Sequence, residues 1–128
     1  MERERLLSLA RETATHAHCP YSHFHVGAAV VADGTVYCGA NIEISSYGLT
    51  LCAERSALAS ALSAGARLVT QIAIACIDVS AEAPLHHRVP CGACRQWIAD
   101  LAPQAVIYLD GVEQDFRIAD LLPFAFRL

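Results

Sequence analysis

The stretch FHVGAAVVADGTVYCGANI, residues 24–42, decides the fold of this 128-residue chain. It consists of two apolar, β-prone runs, 24–32 and 35–42, joined by Asp33-Gly34. An Asp-Gly pair between two such runs is among the strongest sequence features of a two-residue β-hairpin turn. The sequence therefore predicts two antiparallel strands that lie side by side early in the chain.

Helical and extended segments alternate around this hairpin. Apolar spacing and helix-stopping residues predict four helical segments, at 2–17, 51–64, 91–101 and 118–122. Further strands are predicted at 68–77, 105–109 and 112–116. The order α-β-β-α-β-α-β-β-α indicates an α/β fold, a three-layer domain with a mixed five-stranded central β-sheet flanked by helices. No repeat or linker interrupts the chain, so we expect a single domain over residues 1–128.

Charge and hydrophobicity argue against several classes of protein. The net charge is −4, and the nine basic residues are scattered, whereas a nucleic-acid binder needs a basic stripe. No apolar run reaches the ~18–20 residues of a membrane span, and the charged N-terminus does not resemble a secretory leader. We therefore expect a cytoplasmic protein that binds neither nucleic acid nor membrane. Because 55% of the residues are hydrophobic, surplus apolar surface is expected at a subunit interface.

Three of the six cysteines are spaced as metal ligands. Cys52 opens one predicted helix, and the Cys91-Gly92-Ala93-Cys94 motif opens another. Three protein ligands with one open position are typical of catalytic zinc, whereas structural zinc has four ligands. A structural site remains an alternative, as does a redox dithiol at the Cys-x-x-Cys pair. A fourth thiol for a structural site could come from one of the other cysteines, namely Cys19, Cys38 or Cys76.

Glu54 lies two residues after the first of these cysteines, close enough to reach a metal-bound water. A glutamate there can act as general base and then as general acid. Its alternative role is that of a first-turn glutamate that the helix dipole stabilises. Three thiolates around Zn²⁺ leave a net charge of −1, and Arg55 and Arg95 each directly follow one cysteine motif. Either arginine could offset that charge or lie in solvent.

Together these motifs carry a family resemblance. Cys52-Ala53-Glu54 and Pro90-Cys91-Gly92-Ala93-Cys94 match the three-cysteine variant of the zinc-deaminase signature. Asn41-Ile42-Glu43 and the C-terminal Leu121-Leu122-Pro123-Phe124-Ala125-Phe126 match the nucleoside-specific branch. From Pro20-Tyr21-Ser22 onward the chain resembles the small homotetrameric, zinc-dependent cytidine deaminases of pyrimidine salvage.

The resemblance implies a reaction and a cofactor. It implies one Zn²⁺ per chain, held by Cys52, Cys91 and Cys94, with Arg55 hydrogen-bonded to the thiolates. The reaction is hydrolytic deamination of cytidine and deoxycytidine to uridine and deoxyuridine, with release of ammonia. In it a zinc-bound water attacks C4 of the base while Glu54 carries the protons.

The resemblance also implies a nucleoside-binding set, partly shared between subunits of the homotetramer. Asn41 and Glu43 match the pair that binds the ribose hydroxyls, and their spacing points both to one side of a strand end. Tyr47 and Phe126 match residues that neighbouring subunits contribute to shared active sites. The whole implied substrate-binding set is Phe24, Asn41, Glu43, Ser45, Tyr47, Ala53 and Phe126.

Two departures from the family pattern leave the exact substrate open. Ile44-Ser45 stands where many relatives have Asn-Ala, and the loop 78–89 is longer than expected. The alternative substrate is a modified cytosine nucleoside, such as an antibiotic of the blasticidin type. A non-catalytic zinc or dithiol module is the alternative of a different class, and Glu54, which has no use there, argues against it. His23-x-His25 could bind metal but is expected to be solvated.

Overall fold

The hairpin at Asp33-Gly34 forms as predicted and builds one edge of the central sheet. In the computed structural model, which describes residues 1–128, both turn residues have positive φ angles, 49° and 81°. This backbone geometry is that of the hairpin turns that match the natural twist of two strands. The Asp33 carboxylate accepts hydrogen bonds from the backbone N–H groups of Arg67 and Leu68, at 2.9 and 3.0 Å, and so ties the turn to the next strand.

The chain forms four helices and four strands. In chain order they are α1 Arg3–Ala14, β1 Val26–Ala32, β2 Thr35–Ala40, α2 Ala53–Ser63, β3 Val69–Cys76, α3 Gly92–Leu101, β4 Val106–Leu109 and α4 Ile118–Leu121. Short 3-10 turns at Tyr47–Leu49 and Leu85–His87 lie in the two long loops. The strand order is β2-β1-β3-β4, with β1 antiparallel to both neighbours and β4 parallel to β3. No helix is both long enough and apolar enough to cross a membrane.

The sheet has four strands, so the prediction of a fifth strand at 112–116 was wrong. That segment touches the sheet only through one bridge, in which Ile107 and Phe116 exchange two backbone hydrogen bonds of 2.8 and 2.9 Å. Phe116 is buried, but the three residues before it, Glu113-Gln114-Asp115, are polar and exposed. A strand is stabilised mainly by side-chain packing against its neighbours, and these residues have nothing apolar to pack.

Helices cover both faces of the sheet. Ala29 and Val31 of β1 face α1, while the alternate residues Ala28 and Val30 belong to the core beneath α2 and α3. The strand periodicity of two separates these two sets of side chains. The helices are therefore arranged as the sequence predicted, on either side of a mixed sheet.

Glycine permits close contact between helix α2 and the sheet. A Cβ added to Gly39 of β2 would lie 2.3 Å from the backbone nitrogen of Ala57 in α2. No side chain fits at that distance, so the sequence requires glycine there. The contact holds the start of α2 beside the end of β2, and this end of the sheet carries the functional site.

Candidate active site

The three predicted metal ligands meet at the start of two helices. Cys52 and Cys91 occupy the N-cap positions of α2 and α3, and Cys94 lies in the first turn of α3. The three Sγ atoms all lie within 4.8 Å of one another, although 39 residues separate the first two. Unpaired N–H groups and the positive dipole end at a helix start favour thiolates over thiols.

The geometry of the thiols fits a zinc ion. The Sγ atoms of Cys52 and Cys91 are 3.8 Å apart. At a Zn–S distance of ~2.3 Å, tetrahedral coordination separates two sulfurs by about 3.8 Å. Cys19, Cys38 and Cys76 are not part of the cluster, so it offers three thiols and leaves one coordination position open. This is the ligand number of a catalytic site rather than of a closed structural one.

The surroundings of Cys52 favour its thiolate form. The hydrogen bond with Cys94 lowers the pKa of Cys52 to about 5 against the opposing effect of burial, and Arg55 lowers it further. The same hydrogen bond, together with burial, raises the pKa of Cys94. The thiolate that these contacts favour at Cys52 is the form in which a cysteine binds a metal.

Of the two arginines that follow the motifs, Arg55 alone contacts a thiol. Its Nη2 donates to Sγ of Cys52 at 3.3 Å and to the carbonyl oxygen of Thr50 at 3.2 Å. Arg95 instead donates to the carbonyl oxygens of Pro90 at 2.8 Å and Leu121 at 2.6 Å. The alternatives left open for these residues are resolved by their contacts: Arg55 lies at the thiols, whereas Arg95 joins α3 to α4.

Glu54 is buried in the first turn of α2, with only 4% of its surface exposed. Burial raises the pKa of its carboxyl group to about 7, against the lowering effect of a backbone hydrogen bond. Glu54 lines the same cavity as Cys52 and Cys91. A buried carboxyl group next to a metal ligand set is placed to exchange protons with a molecule in that cavity.

The cavity has a volume of about 390 Å³, within the usual range for small-molecule sites. It lies where β1 begins and where β2 and β3 end, between the N-termini of α2 and α3. Asn41 and Glu43, which follow β2, both line it, as their spacing predicted. Both side chains are buried, with 7% and 3% of their surfaces exposed.

Hydrogen bonds hold these two side chains in place. Asn41 accepts from the backbone N–H of Val26 at 2.9 Å and donates to the carbonyl oxygen of Phe24 at 2.7 Å. Glu43 accepts from the backbone N–H groups of Tyr21 and Ser22 at 3.1 Å and from the Ser22 hydroxyl at 2.5 Å. Burial opposes ionisation of Glu43, but these donors outweigh it and lower its pKa. The cavity therefore contains a second carboxylate besides Glu54, and its hydrogen bonds fix it in place.

The other predicted substrate-binding residues divide into two groups. Phe24, Tyr47 and Ala53 line the cavity of their own chain. Ser45 lies outside it, with its Oγ 3.0 Å from the Tyr21 hydroxyl. Phe126 also lies outside and is 69% exposed near the C-terminus. Tyr47 thus lines the cavity of its own chain, whereas Phe126 does not line that cavity.

Sequence reasoning missed several lining residues, among them Thr50, Cys76, His87 and Val89. Thr50 lies two residues before Cys52 and Val89 lies two residues before Cys91, so proximity to the cysteines could have identified both. Cys76 ends a buried strand, where a cysteine is usually a core residue. His87 lies in the long loop 78–89, and no pattern in the sequence distinguishes it from its neighbour His86.

Comparison with known proteins identifies the family. The sequence model described as "Cytidine and deoxycytidylate deaminase zinc-binding region" matches residues 1–110. The chain belongs to the cytidine deaminase family. A cytidine deaminase of Halalkalibacterium halodurans is 45% identical over 98% of this chain and 95% of its own. A second, from Sporosarcina psychrophila, is 41% identical over 98% of this chain and 92% of its own.

Solved cytidine deaminases share the whole fold. That of Burkholderia pseudomallei superposes with a TM-score of 0.87 at 41% identity, over 98% of this chain and all of its own. That of Mycobacterium tuberculosis gives a TM-score of 0.84 at 35% identity, over 100% and 99% of the two chains. The likeness therefore extends beyond the two cysteine motifs, and the resemblance to this family is confirmed.

Proposed function

We propose that this protein is a zinc-dependent cytidine deaminase, which converts cytidine or deoxycytidine and water into uridine or deoxyuridine and ammonia. The observation that carries the proposal is the meeting of three thiols and a buried Glu54 in one cavity with Asn41 and Glu43. The thiols and Glu54 are suited to metal-assisted hydrolysis, and Asn41 and Glu43 are suited to hydrogen bonding with the hydroxyl groups of a sugar. Two relatives named cytidine deaminase, 45% and 41% identical to this chain, support the same activity.

Cys52, Cys91 and Cys94 would hold the zinc ion, and Arg55 would offset part of the charge of the thiolates. Bound zinc supplies a Lewis acid that lowers the pKa of water and so provides a nucleophile at neutral pH. Since Arg55 donates to Sγ of Cys52, it also orients that ligand, as outer-shell partners of metal ligands do.

Glu54 moves the protons of the reaction. It takes a proton from the attacking water and delivers it to N3 of the base as the C4–O bond forms. A second proton then passes through Glu54 to the amine on C4, which leaves as ammonia when the C–N bond breaks. The carboxyl group can serve as base and then as acid because burial keeps bulk water from competing for these protons.

The opposite wall of the cavity orients the nucleoside. Asn41 and Glu43 would bind the ribose hydroxyls through the donors and lone pairs that their backbone partners leave free. Phe24 offers an aromatic face for the pyrimidine. Ala53 adds a close-packed wall beside Glu54. Holding the sugar fixes the distance of C4 from the thiols, so binding and orientation are obtained together.

We further infer that the chain works as a homotetramer in the cytoplasm, with residues 1–128 forming one domain. Phe124, Phe126 and Leu128 at the C-terminus are largely exposed, as are Ile44 and Leu49 near the cavity. Apolar surface of this kind supports self-association. Phe126, which lies outside its own cavity, is proposed to complete that of a neighbouring chain. The reduced thiols that zinc binding needs favour the cytoplasm.

The test is ammonia release and loss of cytidine absorbance with zinc-loaded protein. Cytidine, deoxycytidine, free cytosine and blasticidin are compared under identical conditions. We expect turnover of the two nucleosides and little of cytosine, which lacks the sugar that Asn41 and Glu43 bind. No ammonia from either nucleoside, in protein with one zinc per chain, would refute the proposal. If blasticidin alone is deaminated, the substrates of the enzyme are modified cytosine nucleosides rather than cytidine and deoxycytidine.

A further inference from the structure

A second cavity adjoins the catalytic one. It has a volume of about 360 Å³, and Phe24 and His87 line both cavities. Its other lining residues all belong to the long loop after β3: Asp78, Val79, Ser80 and Ala83. The deamination chemistry uses none of these four residues.

Buried hydrogen bonds fix this loop beside the site. Arg88 is only 7% exposed, and it donates to the carbonyl oxygens of Asp110 at 2.9 Å and Ser80 at 2.7 Å. The loop is thereby tied to the end of β4. At its other end, the backbone N–H of His25 donates to Asp78 at 2.6 Å, and the His25 ring lies 2.8 Å from the same oxygen. The second cavity is therefore a built feature with walls held from two sides.

Asp78 is the one acidic residue that lines the second cavity, and its carboxylate contacts the His25 ring. The backbone N–H and the ring of His25 lower the pKa of Asp78, so its carboxylate is ionised at neutral pH. No lysine or arginine lines this cavity, and Ser80 adds a hydroxyl. A cationic or neutral group is favoured there over an anionic one.

We propose that the second cavity is a subsite for a substituent at C5 of the cytosine ring, with a preference for a cationic amine. The inference rests on the proposed function. In the reacting nucleoside, C4 and N3 face the thiols and Glu54, and N1 carries the sugar. C5 adjoins the reacting carbon but neither reacts nor carries the sugar. Phe24, whose face is proposed to hold the base, lines both cavities together with His87, so a chain at C5 has a path into the second cavity.

The experiment compares three substrates with the zinc-loaded protein: cytidine, 5-(3-aminopropyl)cytidine and 5-(2-carboxyethyl)cytidine. The two C5 chains have similar length and opposite charge. We expect kcat/KM for the amine to exceed that for the carboxylate by about fivefold, the upper range for a partly exposed ion pair. Asp78→Asn, which keeps an oxygen to accept from His25, should reduce that ratio by about fivefold and leave cytidine turnover within about twofold. Added salt should lower the wild-type ratio as well.

Two further variants make the test specific. Glu82→Gln removes a carboxylate from the same loop but outside both cavities, and it should leave the ratio unchanged. His87→Ala should raise kcat/KM for both C5-substituted nucleosides relative to cytidine, because it widens the boundary between the cavities.

The inference is overturned if wild-type protein deaminates cytidine but neither substituted nucleoside. Equal ratios in wild type and Asp78→Asn, or equal shifts with Glu82→Gln, would also overturn it. Failure on cytidine itself would overturn the proposed function, and the subsite with it.

Discussion

Gly39→Ala links the packing of the fold to the metal site. The added Cβ would lie 2.3 Å from the Ala57 nitrogen and 2.8 Å from the Ser56 carbonyl carbon, both backbone atoms of α2. Ordinary van der Waals contact begins at 3.4 Å, so α2 must move by about 1 Å. Overpacking of this kind typically costs about 1–3 kcal/mol of unfolding free energy.

The same displacement should reach the active site. Cys52 and Glu54 lie at the start of α2, one turn before the clash. A misplacement of about 1 Å in a catalytic group can lower the rate by about 10²-fold. We therefore expect weaker zinc retention and a loss of kcat/KM of that order in molecules that remain folded.

Denaturant unfolding, zinc content after dialysis and cytidine turnover measure these effects together. Gly48→Ala is the matched control, since a Cβ there meets nothing within 4 Å and its φ is not positive. Its stability and zinc content should remain those of the wild type. Wild-type stability and activity in Gly39→Ala would refute the argument that glycine sets the position of α2.

Three further predictions concern the roles of single side chains. Glu54→Gln should keep zinc and fold but lose about 10²–10⁴ in kcat, since Glu54 moves protons and is not a ligand; loss of zinc would contradict this. Cys91→Ser should release zinc and abolish turnover, whereas Cys38→Ser, outside the cluster, should retain one zinc per chain by elemental analysis. Mixing the inactive Glu54→Gln and Phe126→Ala chains should restore part of the activity, because some cavities then receive Glu54 from one chain and Phe126 from another. No recovery after verified subunit exchange would indicate that each site is self-contained.

The sequence by itself determined those features that depend on local chemistry. Asp33-Gly34 between two apolar runs leads to the observed hairpin, because few other dipeptides adopt two positive φ angles cheaply. The three thiols could be selected because zinc chemistry restricts ligand type and number. Glu54 could be identified from its position two residues after Cys52.

Only the tertiary structure decided the features that depend on distant parts of the chain. The segment 112–116 follows a turn dipeptide, Asp110-Gly111, as a hairpin strand would, yet its polar side chains find no partner beside β4 and only Phe116 pairs. Arg55 and Arg95 each directly follow a cysteine motif in the sequence. Arg55 contacts a thiol, whereas Arg95 donates to the Leu121 carbonyl oxygen of α4, because α4 packs against α3. His87 reaches both cavities because buried Arg88 ties its loop to the end of β4. In each case the outcome depends on long-range contacts, and a pattern of neighbouring residues does not contain them.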